Sequence, residues 1–347
     1  YDHRNIHCDV LVVGAGISGI LAAKNAAKNN YKTLLLDEKN ELGGSTIFET
    51  NENKKINNTF SSEWLKKEIS ELKNIKNLEI KTRTSVAAYH QYNYLLAREN
   101  LTDHLEKKDK KNKIRQRLLK IRAKKVILAT GALERPLVFN NNDRHGIMLS
   151  SAVKIYSDFY GVACGVKNIF FTNNDTAYES ALSLHNKGIK VDAIIDIREN
   201  SDAKIIKKIN DAGIKIYWSH TIVDTSGYKR LSDVSIMKLS NDGMSVTGSK
   251  TSISCDCLGI AGGWTPAVHL YTQSGNKLTF DEDRNVFVPK ADNSAQICVG
   301  SCGGDFELDE IIKNLSNKLK NFLNISQTDF EDISLENDKE TSKRNIW

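Results

Sequence analysis

The chain has 347 residues and a formal net charge of +6 at neutral pH. This length predicts two domains rather than one small core. No apolar run reaches about eighteen residues, and the first apolar segment leads into glycines rather than a cleavage site, so the sequence predicts neither a membrane span nor a secretory signal. The chain begins with Tyr1, and we expect it to be a piece of a longer protein.

The excess of positive charge is concentrated in residues 107–125, a segment without aromatic residues. Proteins that bind single-stranded nucleic acid combine basic grooves with aromatic side chains on which the bases stack. A solvated hairpin is therefore the preferred interpretation of this segment, and we predict no nucleic-acid partner.

The stretch CDVLVVGAGISG, which begins at Cys8, predicts a dinucleotide-binding turn. Its apolar run is typical of a buried parallel strand, and an alanine-rich helix is expected over Ile20–Lys28. In such a turn the first glycine bends the chain, the second lets the backbone approach a pyrophosphate, and the third lets the helix pack closely on the strand. The residues assigned to this part of the site are Gly14, Gly16, Ile17, Ser18 and Gly19.

A second strand, expected over Thr33–Asp37, is followed by another acidic residue. An acid at this distance from the glycines accepts hydrogen bonds from ribose hydroxyls. We prefer Glu38 for this role because it leaves the strand uninterrupted, and Asp37 is the competing candidate. A further glycine turn then allows close approach of backbone to a ligand. The residues of this segment included in the predicted site are Lys39, Gly43, Gly44 and Ser45.

The next elements are a surface helix over Ser61–Leu72 and a small antiparallel meander. The meander is expected to contain strands over Leu78–Thr84, Val86–Tyr94 and Leu118–Ala123. The apolar strand after it ends in small residues, which leave room for a ligand at the carboxyl end of a parallel sheet. The binding candidates from this part of the chain are Val86, Ala129, Thr130 and Gly131.

Arg135 follows this strand and has two alternative interpretations. Its guanidinium could bind a cofactor phosphate through two hydrogen bonds, or it could pair with Glu134 or Asp143. If it binds the phosphate, replacing Arg135 with alanine weakens nucleotide binding in a calorimetric titration, and unchanged affinity excludes that role.

A second set of alternating strands and helices begins after Gly165, with a strand over Asn168–Thr172 and a helix over Asp175–Lys187. The turn between them contains no glycine, and its acidic residue would repel a pyrophosphate. We therefore predict a nucleotide fold that has lost its site, with Asp175 as the N-cap of the helix. The chain then returns to the first domain, where Gly300 is the last predicted binding residue and a helix is expected over Leu308–Leu323.

These patterns predict an α/β fold with two Rossmann-like dinucleotide-binding domains of the FAD/NAD(P)-binding, glutathione-reductase-like type, the second inserted in the first. The expected boundaries are 1–160 with 256–325 for the first domain and 161–255 for the second. Residues 326–347 are polar and poor in apolar side chains, and we expect a linker or a disordered tail there.

The six cysteines include no CxxC pair, and no reactive pair stands near Gly43 and Gly44. A disulfide reductase needs such a pair beside its flavin, so this class is not favoured. The spacings do not match a zinc site either, and we predict no metal. Reduced thiols indicate a cytoplasmic protein. Hydrolysis by a serine triad is not favoured because no GxSxG turn occurs.

Longer motifs resemble one family closely, the α subunits of heterotetrameric sarcosine oxidase. They include HCDVLVVGAG from His7, ATGALERPLVFNNNDRHGIML from Ala129, TNNDTAY from Thr172 and GWTPAVHLYTQSGNKL from Gly263. The pattern departs from the family at His145, where proline is expected. The resemblance covers nearly the whole chain up to the tail.

The resemblance implies that this chain is the central NAD-binding portion of such a subunit, between a ferredoxin-like and a folate-binding domain. It also implies partner β, γ and δ subunits, with FAD in the β subunit and a covalent FMN near the α/β interface. The implied reaction is oxidation of sarcosine to glycine with production of hydrogen peroxide, and the one-carbon unit passes to tetrahydrofolate or leaves as formaldehyde. No catalytic residue is assigned to this chain.

The choice of NAD has support in the sequence, because Ser301 stands where related flavoproteins place an aspartate that binds the ribityl chain of the flavin. Two alternatives remain open. One is a self-contained FAD-dependent dehydrogenase of amines, opines or proline, and the other is a non-catalytic scaffold that retains a relic nucleotide fold.

Overall fold

The computed structural model describes residues 2–48, 55–111, 113–201, 204–293, 295–331 and 333–336. These residues form two compact units, one made of 2–132 and 266–336 and the other of 133–265. The second unit is larger than the expected 161–255. It takes in Ile147–Leu149, which pairs with Cys257–Ala261, and the helix Ser150–Asp158, because their contacts lie inside that unit.

The helices of the described residues include the four predicted above, near their expected positions, and several short ones. In chain order they are α1 (Ile17–Lys28), α2 (Ser61–Leu72), α3 (Lys107–Lys110), α4 (Ser150–Asp158), α5 (Thr176–Asn186), α6 (Lys204–Asp211), α7 (His269–Gln273) and α8 (Leu308–Leu323). None of them is long and apolar enough to cross a lipid bilayer.

The strands are mostly short. In chain order they are β1 (Asp2–Val13), β2 (Thr33–Leu36), β3 (Lys55–Ile56), β4 (Thr59–Phe60), β5 (Leu78–Lys81), β6 (Thr84–His90), β7 (Tyr94–Asn100), β8 (Gln116–Leu128), β9 (Ala132–Glu134), β10 (Ile147–Leu149), β11 (Asn168–Thr172), β12 (Val191–Asp196), β13 (Lys215–Trp218), β14 (His220–Ser226), β15 (Asp233–Leu239), β16 (Val246–Ser254), β17 (Cys257–Ala261), β18 (Trp264–Pro266), β19 (Leu278–Asp281), β20 (Val286–Pro289), β21 (Gln296–Cys298) and β22 (Leu335–Glu336).

The first unit is built on a seven-stranded sheet in the order β5-β2-β1-β8-β7-β6, with β21 also paired to β8. The long strands β1 and β8 run through both halves of this sheet. Their second halves belong to a parallel sheet with β2, β5 and β21, and the first half of β8 pairs antiparallel with β7. The parallel part is covered on one face by α1 and α8, whose apolar residues form one core with those of β1.

The meander differs from its prediction in two places. A hairpin turn divides the expected strand Val86–Tyr94, because Tyr92 and Asn93 adopt left-handed backbone angles of 58° and 50° between β6 and β7. The basic segment is only partly a loop, since it contains the single turn α3 and most of β8. Strand β8 holds basic residues because one of its faces is open to solvent along Gln116–Arg122.

The second unit contains a five-stranded parallel sheet in the order β10-β17-β11-β12-β13. Helix α5 packs against β11, β12 and β17, and the strands β11, β12 and β17 are buried because the sheet is covered on both faces. A three-stranded antiparallel sheet, β14-β15-β16, completes the unit. This is the predicted nucleotide fold.

The prediction of a linker or disordered tail over 326–347 is corrected for the described residues 326–331 and 333–336. Phe330 is buried in the core of the first unit beside α1. Asp329 exchanges hydrogen bonds with Asn25 and forms an ion pair of 2.7 Å with Lys28, and β22 pairs with β3. The buried ring of Phe330 and the carboxylate of Asp329 therefore fix the position of this otherwise polar segment. Residues 337–347 lie outside the described part of the chain.

Candidate nucleotide site

The predicted glycine turn joins β1 to α1, and two of its glycines are required by the packing of the protein itself. Gly14 has a φ of +97°, and a Cβ atom there would overlap the carbonyl oxygen of Ala129. A Cβ atom at Gly19 would overlap the carbonyl of Gly14, so the helix can lie this close to the turn only without a side chain. The amide of Gly14 donates a 2.8 Å hydrogen bond to Leu36, which ties the turn to β2.

Gly16 is different, because neither its backbone angles nor its neighbours require glycine. Its φ of −71° and ψ of −177° are allowed for any residue. A Cβ atom built on it would find its nearest neighbour, the Cα of Gly44, at 3.9 Å. The packing of the protein therefore does not explain this glycine, whereas the approach of a phosphate to the backbone would.

Helix α1 begins directly after Gly16. No side chain caps the helix at Gly16, and its first turn contains no acidic residue. Uncapped amides and the positive end of the helix dipole attract an anion. Ile17 and Ser18 begin the helix, which places the predicted binding residues of the turn at its positive end.

The second glycine turn, at Gly43 and Gly44, lies directly against the first. The amide of Gly43 donates a 2.7 Å hydrogen bond to the carbonyl of Ala15. Gly44 has a φ of +62°, and a Cβ atom there would come within 2.8 Å of the Cα of Gly16. The two glycine turns therefore meet backbone to backbone, and Ser45 follows directly after them.

The two acids at the end of β2 have separate roles in the structure. Asp37 is only 9% exposed, and its carboxylate accepts hydrogen bonds of 2.6 Å from the amide of Ala15 and 2.8 Å from the amide of Lys39. Glu38 is exposed to solvent. Asp37 thus holds the glycine turn and leaves Glu38 as the carboxylate that can reach a ribose, which supports our preference for Glu38.

Two further predicted residues lie near this acid pair: Lys39 follows it in the sequence, and Val86 belongs to β6. The Lys39 ammonium stands 5.1 Å from the centre of the Phe48 ring. The backbone carbonyl of Lys39 accepts a hydrogen bond from the backbone amide of Arg83. The amide of Thr84 donates 2.8 Å to the carbonyl of Asp37, which fixes the start of β6 beside the end of β2. Val86, two residues further along β6, is half-buried.

The segment Ala129–Gly131 completes the predicted set within the first unit. The Ala129 amide donates 2.8 Å to Val13, and the Thr130 hydroxyl donates to the carbonyl of Ala267 at 2.8 Å. The Thr130 hydroxyl is thus engaged by the protein, and what this segment can offer a ligand is mainly its backbone. Gly300 has a φ of +63°, and a Cβ atom there would overlap the Ser18 hydroxyl at the start of α1.

The structure therefore brings together, in one unit, every predicted binding residue except Arg135. Arg135 belongs to the second unit, where its Nε donates 3.2 Å to the carbonyl of Gly262 and its own amide donates to Gly263. Glu134, one of its predicted partners, accepts hydrogen bonds from the amide and hydroxyl of Ser151. A phosphate-binding role for Arg135 stays a prediction.

The corresponding turn of the second unit is filled by the protein's own side chains. Asn174 bonds the side chain of Asn173 and the carbonyl of Ala261, and all of these groups are buried. Arg198, 4% exposed, forms ion pairs of 2.8 Å with Asp175 and 2.7 Å with Asp196. These contacts support the predicted loss of the second site.

The prediction that Asp175 caps α5 is corrected. Asp175 occupies the N-cap position, but its side chain makes no capping hydrogen bond. The Asn174 side chain accepts from the amide of Thr176 at 2.9 Å instead, while the Asp175 carboxylate pairs with Arg198. A buried guanidinium competes more strongly for the carboxylate than a backbone amide does.

The cysteines are free and mostly buried. Burial raises the pKa of Cys8, Cys255 and Cys257 to about 12, which keeps these thiols protonated and unreactive at neutral pH. Among the described residues, no group of three or more His, Cys, Asp and Glu side chains could hold a metal ion.

Sequence reasoning did not anticipate that Asp37 binds the glycine turn. The signal available was the pair of adjacent acids at the end of β2, of which only one can face a ligand.

A family model described as pyridine nucleotide-disulphide oxidoreductase matches residues 8–299 of the chain. The sarcosine oxidase subunit alpha of Corynebacterium sp. (strain P-1) is 37% identical over 309 residues, which are 88% of this chain and 31% of that protein. The subunit of the same name from Rhizobium meliloti (strain 1021) is 32% identical over 288 residues, 83% of this chain and 28% of that protein. The chain thus spans about a third of the length of these curated relatives, and the resemblance inferred from the motifs is confirmed.

Solved structures share the fold at low sequence identity. Thioredoxin reductase from T. acidophilum is 19% identical with a TM-score of 0.66, over 92% of this chain and 97% of that one. L-proline dehydrogenase from P. horikoshii is 20% identical with a TM-score of 0.61, over 87% of this chain and 52% of that one. The predicted α/β fold of the FAD/NAD(P)-binding type is confirmed.

Proposed function

Because the chain belongs to the pyridine nucleotide-disulphide oxidoreductase family, we propose that its first unit binds NAD over the glycine turn as part of an oxidoreductase subunit. The observation that carries this proposal is the uncapped N-terminus of α1 beside Gly16, a glycine that the packing of the protein does not require. The pyrophosphate would lie against the uncapped start of α1, and Glu38 would accept hydrogen bonds from the ribose hydroxyls. Asp37 would hold the turn in shape.

We infer further that the subunit belongs to a sarcosine-oxidase-like complex with β, γ and δ partner subunits. The complex would oxidise sarcosine to glycine and produce hydrogen peroxide, with the one-carbon unit passing to tetrahydrofolate or leaving as formaldehyde. Identity of 37% to a sarcosine oxidase subunit alpha supports this assignment. The oxidation itself would occur on flavin of the partner chain, with FAD in the β subunit and FMN near the α/β interface, so this chain supplies binding residues and no catalytic one. A cytoplasmic location stays a prediction.

FAD is the alternative occupant of the same turn, because glycine turns of this kind accept either dinucleotide. In that case the chain would work as an FAD-dependent dehydrogenase of amines, opines or proline. Ser301 argues for NAD, since no carboxylate stands at that position to accept from a ribityl chain. A relic fold without ligand is the third alternative, and a glycine at position 16 that packing does not require argues against it.

Denaturing the purified protein and identifying the released nucleotide by mass spectrometry tests the proposal. We expect NAD and a colourless chain. A yellow chain that absorbs near 450 nm and releases FAD would establish the alternative, and release of no nucleotide, together with no binding of added NAD, would support the relic fold.

A further inference from the structure

One face of the meander in the first unit is open to solvent, and its three unpaired charges are positive. It is centred on three cross-strand pairs between β7 and β8: Tyr94 with Arg122, Leu96 with Lys120, and Arg98 with Leu118. We call these six residues the basic sheet face.

The alternation of side chains along the strands determines which residues face outward. Leu95, Ala97, Leu119 and Ile121 alternate with the residues of the basic sheet face and are fully buried in the core below it. The register of the sheet is therefore pinned by its buried side, and a one-residue slip would expose this core.

The charged residues on the two sides of the meander differ in whether they form ion pairs. On the inner side, Glu99 neutralises Lys81 at 2.8 Å and also pairs with Arg117. On the outer side, Arg98, Lys120 and Arg122 form no ion pair with any residue in the described part of the chain. The acidic outward residue of β1 next to these pairs is Asp9, and it forms an ion pair of 2.7 Å with Lys124 rather than with any of the three cations.

Apolar side chains lie between the cations. Leu96 and Leu118 are partly exposed, and the guanidinium of Arg122 stands 4.6 Å from the centre of the Tyr94 ring. An apolar centre with Arg and Tyr beside it is the composition of residues that contribute most to protein–protein binding. Single-stranded nucleic acid would need aromatic rings free for stacking, whereas the Tyr94 ring is already covered by Arg122.

We propose that the basic sheet face docks an acidic surface of a partner protein subunit. The inference rests on the proposed function, in which the chain works beside other subunits. Charge complementarity selects the partner: three unpaired cations on one flat face attract carboxylates and repel another copy of the same face.

Photocrosslinking in the assembled complex tests which molecule covers this face. A photoreactive p-benzoylphenylalanine replaces Lys120 in the full complex, and the matched control carries it at Lys107, an exposed residue of α3 outside the face. We expect a crosslink from position 120 to an acid-rich peptide of a partner subunit, and none to that peptide from position 107. A crosslink from position 120 to a peptide of the same chain, or none at all, would overturn the proposal.

Charge reversal provides the quantitative test. Lys120→Glu combined with Arg122→Glu should weaken association with the partner subunits about tenfold or more, because rim charges steer docking through complementary potentials. Lys107→Glu combined with Lys111→Glu changes the net charge equally and should leave association within about twofold. Equal effects of the two double variants would refute a specific face. Thermal unfolding of each variant checks that it is folded, and the crosslinking result decides if one is not.

Two further measurements separate this proposal from the proposed function. If the wild-type chain binds a short DNA duplex more tightly than it binds the partner subunits, the acidic-protein proposal fails. The nucleotide content of the same samples is measured in parallel. Retained NAD without subunit association would overturn the docking proposal and leave nucleotide binding standing, while association without NAD would do the reverse.

Discussion

The glycines of the turn illustrate at the residue scale how packing and binding can be separated. Gly14 and Gly19 lack room for a side chain because protein atoms occupy it, whereas a Cβ atom at Gly16 would make only ordinary van der Waals contact with Gly44. We predict that Gly16→Ala weakens NAD binding by about tenfold or more and changes the unfolding free energy by less than about 0.5 kcal/mol, as other changes outside packed sites do. Isothermal titration and denaturant unfolding measure the two quantities.

The matched control is Gly19→Ala, whose added methyl would overlap the carbonyl of Gly14. It should lower the unfolding free energy by about 1–3 kcal/mol through overpacking. Equal destabilisation by both variants would contradict the interpretation of Gly16 as a ligand-facing glycine.

The adjacent acids at the end of β2 give a second prediction at this scale. Glu38→Gln should weaken NAD binding without a change in stability, because Glu38 is exposed. Asp37→Asn should weaken binding and also lower the unfolding free energy by about 1–3 kcal/mol, because an amide nitrogen would face the buried amide of Ala15 or Lys39. A control titration with adenosine, which has no pyrophosphate, should be affected by Glu38→Gln more than by Asp37→Asn. The reverse order would exclude these roles.

At the scale of elements, Asp158 connects two helices of the second unit. It ends α4, its side chain is fully buried, and it accepts hydrogen bonds from Ser183 on α5 and from Lys187 directly after that helix. Burial opposes ionisation of Asp158, but the hydrogen bonds from Lys187, Ser183 and Lys154 outweigh it and lower its pKa to about 2. The charged carboxylate therefore stabilises the packing of α4 on α5.

The pH dependence follows from the direction of this shift. A carboxyl whose pKa is lower in the folded state stabilises the protein above its unfolded pKa of about 4, and this stability is lost as the pH falls from about 4 toward 2. We predict that Asp158→Asn removes about 2 kcal/mol at pH 7 and has a much smaller effect at pH 2. Denaturant titrations at both pH values measure the difference, and an effect of equal size at both would refute it.

At the scale of the whole molecule, ligand binding should stabilise the folded chain. A ligand that binds only the native state adds about 2.7 kcal/mol when its concentration is a hundred times its Kd. We expect the Tm of ligand-free protein to rise with added NAD, and the Tm of the Gly16→Ala variant to rise much less. An equal rise in the two proteins would place the ligand away from the glycine turn.

Much of the site could be predicted because its constraints are local. The backbone conformation of Gly14, the helix that begins beside Gly16 and the strand that ends near Glu38 depend on residues close together in sequence. The same holds for the loss of the second site, since the absence of glycine between β11 and α5 is visible in the sequence. Long motifs then identified the family.

Contacts between distant residues could not be predicted in this way. The turn at Tyr92 and Asn93 contains no glycine or proline, and asparagine alone is a weaker turn signal. The burial of Phe330 in the core of the first unit was hidden in a polar segment. The partner of Asp175 also lies on another element, at Arg198.

The sequence by itself determined the fold, the position of the nucleotide turn and the family, because local backbone geometry and hydrophobic periodicity encode them. The tertiary structure decided that Asp37 points inward, that a side chain would fit at Gly16 and that the cations of β7 and β8 share one unpaired face. These features depend on side chains brought together by the sheet register, and neighbouring residues in the chain do not specify such contacts.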